Sequence, residues 1–93
     1  MFGRILAVFE ELIRSAQYVL TLHADEEMDS DGLDIRDVEN AILTGSIVRR
    51  QRDRETGEWK YVIRGQVGPR KLVVTVLKLG QSGKAVILTV YKL

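Results

Sequence analysis

The chain contains no cysteine, which excludes a disulfide framework, a thiolate metal site and a cysteine nucleophile, and fits a reducing compartment. It has one histidine, His23, and no second ligand stands at a recognised metal spacing from it, so neither a metal nor a cofactor is expected. No apolar run is long enough to cross a bilayer. The apolar start, Met1 to Ile13, is broken by Glu10 and Glu11 and is too short for an export signal or a span. The expectation is a soluble, cytoplasmic protein without a membrane partner. Repeats, linkers and low-complexity tracts are also missing. The 93 residues therefore suit a single domain, and a chain of this size buries roughly two-thirds of its unfolded surface, enough for one core but not for a large pocket as well.

What is present is an uneven distribution of charge. The net charge is +1, yet residues 1–45 carry ten acids against Arg4, Arg14 and Arg36, a balance of −7, and residues 46–93 carry a balance of +8. Either the helices and strands bear differently solvated faces, or the second half presents a functional basic surface.

The apolar spacing changes at Ser46. Before it, Ile5, Leu6, Phe9, Leu12, Ile13 and Ala16 recur at helical intervals and predict an amphipathic N-terminal helix, packed on the core or on a second subunit. Residues 18–22 alternate as a short strand, and a helix follows from near His23 to a stop at Gly32. Asp34 is a good N-cap for a second short helix ending at Gly45, with Ile35, Val38, Ile42 and Leu43 facing inward. After Ser46, four β-type runs at 46–52, 58–65, 71–79 and 84–92 are separated by short glycine-containing turns, which requires antiparallel neighbours. The predicted fold is α+β: an antiparallel β-meander against two short helices, residues 18–93, with residues 1–17 as a helical extension. Both faces of the last two runs are apolar, so a cover is expected on each: helices on one side, and the first helix, a partner subunit or an antitoxin-like protein on the other.

Three groups of residues are candidates for chemistry. The stretch from Glu27 to Gly32 imitates the start of a calcium loop, but the position that needs a bidentate carboxylate is Val38, and Glu39 comes one place late, so calcium binding is rejected. His23, at a strand-to-helix junction, suits either a general acid or base or a structural hydrogen bond. The basic hairpin is the third group: Arg49, Arg50, Arg52 and Arg54, with Lys60 and Arg64 on the return strand. Pairing Arg52 with Glu58 would set Arg50 opposite Lys60 and Ser46 opposite Arg64 on one face, with Arg49 opposite Tyr61, Gln51 opposite Trp59 and Ile47 opposite Ile63 on the other. A slip of one residue would re-pair every position. Like charges facing each other are easier to understand if an anion binds between them.

Thr21-Leu22-His23-Ala24, Glu27-Met28, Asp37-Val38-Glu39, Ala41-Ile42-Leu43 with Gly45, and Ile87-Leu88-Thr89-Val90-Tyr91 together resemble the bacterial family called domain of unknown function forty-two fifty-eight, from about Tyr18 to Tyr91. That family looks like a branch of the RelE/ParE-like toxins. The resemblance implies a small sheet backed by two helices, a cognate antitoxin partner and metal-independent cleavage of messenger RNA. Arg50, Lys60 and Arg64 would then hold phosphate, with Arg49 and Arg52 as further RNA contacts; Lys60, Arg64, His23 and Tyr91 form the catalytic candidates, Tyr91 orienting or transferring a proton and His23 acting as acid or base. The alternatives are a non-catalytic protein- or nucleic-acid-binding module, a ParE-like topoisomerase inhibitor, and assembly as a homo-oligomer. One departure stands out. Glu27 and Asp31 occupy places where many members of that family carry arginine, which suits a different ligand or a basic partner.

Overall fold

A computed structural model describes residues 1–93. Helix α1 (Gly3–Arg14) turns Phe9 and Ile13 into the core at 0% and 3% exposure, as its helical spacing requires. Strand β1 (Tyr18–Leu20) is shorter than the alternation predicts. Thr21 leaves it to cap α2 (Leu22–Asp31), its hydroxyl accepting the Ala24 N–H. The same helix ends at Gly32, whose left-handed backbone (φ 67°) favours glycine. Helix α3 (Ile35–Thr44) starts from a reciprocal capping box between Asp34 and Asp37. Strands β2 (Ser46–Arg52), β3 (Trp59–Val67), β4 (Lys71–Leu79) and β5 (Ala85–Lys92) follow, within two residues of the predicted runs.

The five strands form one sheet in the order β1-β5-β4-β3-β2. Neighbours among β2 to β5 are antiparallel, but β1 lies parallel to β5, Tyr18 opposite Ala85. The expectation of a purely antiparallel meander is thus corrected to a mixed sheet, while the three helices stand where the sequence puts them. The connection from β1 to β5 runs through almost the whole chain, so no local turn signal announces it.

The helices gather on one face of the sheet. There Phe9, Ala24, Met28, Val38, Ala41 and Ile42 pack against Ile63, Val73, Leu77, Ile87 and Val90. Helix α1 shares this face with α3, and Phe9 meets the Tyr61 ring edge-on at 5.6 Å. The other face has no helix over it. No element of the chain itself lies over that face: α1, one candidate for its cover, packs on the opposite side. On that open face Val62 and Val74 are nonetheless 1% and 4% exposed, shielded by their own sheet neighbours. The chain has no helix long and apolar enough to cross a membrane.

Candidate functional site

The register of the β2–β3 hairpin decides where its charges go. Ser46 opposes Arg64 and Ile47 opposes Ile63, as the sequence reading expects. A bulge between Ile47 and Arg49 then shifts every later pair by one residue: Arg49 opposes Val62, Arg50 opposes Tyr61, Gln51 opposes Lys60 and Arg52 opposes Trp59. The expected pairs of Arg50 with Lys60, Arg49 with Tyr61, Gln51 with Trp59 and Arg52 with Glu58 are corrected accordingly. Because a bulge puts two residues against one, it moves the later side chains to the other face.

The hairpin consequently has two different faces. On the open face of the sheet lie Arg49, Lys60 and Arg64, around Val62. On the helix-side face lie Arg50 and Arg52, their guanidinium carbons 3.9 Å and 4.2 Å from the centre of the Trp59 ring. Arg50 therefore does not share a phosphate site with Lys60 and Arg64. Of the hairpin's basic side chains only Lys60 meets a carboxylate, Asp53 at 3.7 Å. Arg49 and Arg64 are exposed and unpaired on the open face.

The Asp53–Glu58 turn folds back beside this face. Asp53 accepts the N–H groups of Glu55 at 2.9 Å and Thr56 at 3.0 Å, and Glu58 accepts a bond from Lys78 Nζ at 2.9 Å. The Thr56 and Glu55 N–H groups hold the Asp53 carboxyl below its ordinary value, and Lys78 does the same for Glu58. A carboxyl whose pKa is depressed by folding adds stability that is complete above its unfolded value and lost as pH falls through the folded one. Protection of the Glu55 and Thr56 amides, relative to their intrinsic exchange rates, is therefore expected to fall below about pH 4, and Asp53→Asn to remove most of that pH dependence. Unchanged protection down to pH 2.5 would contradict the assignment.

Tyr91 shares the open face with Arg64. Both oppose Val74, from either side, so they stand two strand spacings, or about 10 Å, apart. Tyr91 also lines a shallow depression of about 410 Å³ between α2 and the end of β5, together with His23, Glu26, Glu27, Ser30, Asp31 and Val90. His23 is exposed there, its Nε2 3.2 Å from Glu27 Oε1. Of the four catalytic candidates, His23 and Tyr91 line the same depression, Arg64 is a row-mate of Tyr91, and Lys60 is held by Asp53.

Glu27 and Asp31 have a role the sequence reading missed. Strand β1 pairs with β5 only as far as Ile87, which leaves the rest of that edge without a strand. Glu27 Oε1 accepts the Val90 N–H at 3.1 Å, and Asp31 Oδ2 accepts the Lys92 N–H at 2.9 Å. Two carboxylates one helical turn apart thus satisfy alternate N–H groups of a bare strand edge. Arginine has only donors and could not accept these bonds. The signal lay in the spacing: acids four apart on a helix, and N–H groups two apart on a strand, have nearly the same pitch. A further tether joins β1 to α3, where the Tyr18 hydroxyl donates to Glu39 Oε2 at 2.7 Å. Burial and that carboxylate push the phenol up to about 12.

Comparison with known proteins adds a family and nothing finer. The family described as Domain of unknown function (DUF4258) matches residues 20–92. No curated protein matches the chain, and no solved structure does.

Proposed function

The chain belongs to the DUF4258 family, and on that footing we propose that it is a RelE-like RNA-binding module that grips phosphates on the open face of its sheet. One observation carries the reading. Arg49 and Arg64 stand exposed and without carboxylate partners on the face that no helix covers, Arg64 in the row that crosses β4 to Tyr91. Unneutralised guanidinium groups over an apolar floor suit the phosphates of an RNA backbone, and Tyr91, about 10 Å away across the same row, is placed for a base.

Binding is favoured over cleavage by the charge around His23. In metal-independent cleavage the ribose 2′-oxygen loses its proton and attacks phosphorus, the leaving 5′-oxygen takes a proton, and negative charge builds up on the phosphoryl oxygens. Beside His23 and Tyr91 that charge would meet Glu26, Glu27 and Asp31, with the nearest unpaired arginine of the open face, Arg64, beyond Tyr91. The site is built to repel what cleavage requires.

Fluorescence anisotropy of a labelled RNA oligonucleotide in the presence of a chelator tests this. Wild-type protein is expected to bind it and leave it intact. Arg49→Ala and Arg64→Ala are each expected to weaken binding, by a factor that shrinks as salt is raised. Unaltered affinity in both variants would overturn the assignment, and cleavage abolished by His23→Ala would restore the nuclease reading.

A further inference from the structure

The helix-side face of the same hairpin carries a second grouping that phosphate binding on the open face does not use. The register sets Arg52 opposite Trp59, with Arg50 two residues away on the same face. Both guanidinium groups lie against one indole, at 3.9 Å and 4.2 Å, and neither meets a carboxylate. Strand β2 is exposed throughout from Val48 to Arg52, and Trp59 is half-buried. Tyr61 continues the row, its ring edge-on to Phe2 at 6.3 Å.

From this arrangement we infer that Arg50, Trp59 and Arg52 form a stacking platform for an unpaired nucleobase, so that the ligand is single-stranded RNA rather than duplex. The inference rests on the RNA-binding reading and narrows its substrate class. Three physical points support it. First, two like charges held against one ring repel each other unless an anion lies near, so the grouping is better satisfied with a nucleotide's phosphate in place. Second, the indole holds the guanidinium planes in position, so less side-chain entropy is lost when a ligand binds. Third, a planar cation or ring engages the face of a base, and base faces are available only where bases are not stacked in a duplex. The two faces of the hairpin would then divide the work: Arg49 and Arg64 hold the backbone, and the Trp59 platform holds a base.

Trp59 is the only tryptophan, so its fluorescence reports on the platform directly. The full chain is titrated with a ten-nucleotide single strand and, separately, with an RNA duplex of the same sequence. The single strand is expected to quench Trp59 emission and the duplex to leave it unchanged. By anisotropy, Trp59→Ala is expected to raise the Kd for the single strand about tenfold, within the range for losing one stacked base, while the duplex Kd stays as it was. Trp59→Phe is expected to recover much of the loss, and matched urea midpoints guard against a folding defect. Single-strand binding with no quenching and an unaltered Trp59→Ala affinity overturns the platform and leaves phosphate binding standing. An equal loss for strand and duplex also overturns it. If neither RNA binds wild-type protein, both readings fall.

Discussion

Replacing Gly65 with alanine is expected to remove about 3 kcal/mol or more of stability, at or above the upper end for overpacking, out of the roughly 5–15 kcal/mol that a domain of this size has. A Cβ at this position of β3 would overlap the carbonyl group of Ala41 on α3. The obstacle is backbone on backbone, so no rotamer change relieves it, and the helix must lift off the sheet. Ala41, Ile42 and Val38 would lift with it, and all three are 0% exposed. Gly45 meets the same constraint where α3 passes into β2, since a Cβ there would lie 2.7 Å from the Arg64 carbonyl oxygen. Urea denaturation of Gly65→Ala gives the value. An unfolding free energy within about 1 kcal/mol of wild type would mean that α3 does not approach β3 so closely.

Phe9→Ala is expected to cost about 3–5 kcal/mol, the range for truncating a fully buried aromatic. Phe9 is 0% exposed and belongs to the same buried cluster as Ile63 and Leu77. The helix that reads as an extension of the core is thus a wall of it. Val8, its neighbour on the same helix, is 43% exposed and supplies the control: Val8→Ala is expected to cost less than about 0.5 kcal/mol. Equal small losses in the two variants would show α1 packing elsewhere, for example on a second copy of the chain.

How legible each feature is in the sequence follows from how local its cause is. Helix α3 is readable because Asp34 caps it and Gly45 ends it within twelve residues of chain. The four strands after Ser46 are readable because short turns join them. The parallel pairing of Tyr18 with Ala85 is set by tertiary packing alone. The hairpin faces fail for a subtler reason. In Ile47-Val48-Arg49-Arg50 two apolar residues precede two basic ones, a break in alternation that marks the bulge, and an unbroken register carries Arg50 to the wrong side. Glu27 and Asp31 look like a reversal of charge at a ligand site because their partners, the N–H groups of Val90 and Lys92, are more than sixty residues away. Of the candidate site, Arg49 and Arg64 were legible as residue types. That they share an open face with Tyr91, while Arg50 and Arg52 turn away to Trp59, is a property of the register.

The central claim is that unpaired arginines on the open sheet face bind RNA phosphates, and the salt dependence of affinity tests it most directly. Each neutralised phosphate of a single strand adds about −0.7 to the slope of log K against log salt concentration. For wild-type protein a slope of about −2 to −3 is expected, three or four contacts at that increment, and for the Arg49→Ala, Arg64→Ala double variant a slope shallower by about 1.4. A slope that is the same in both proteins, or an affinity indifferent to salt, would contradict the claim.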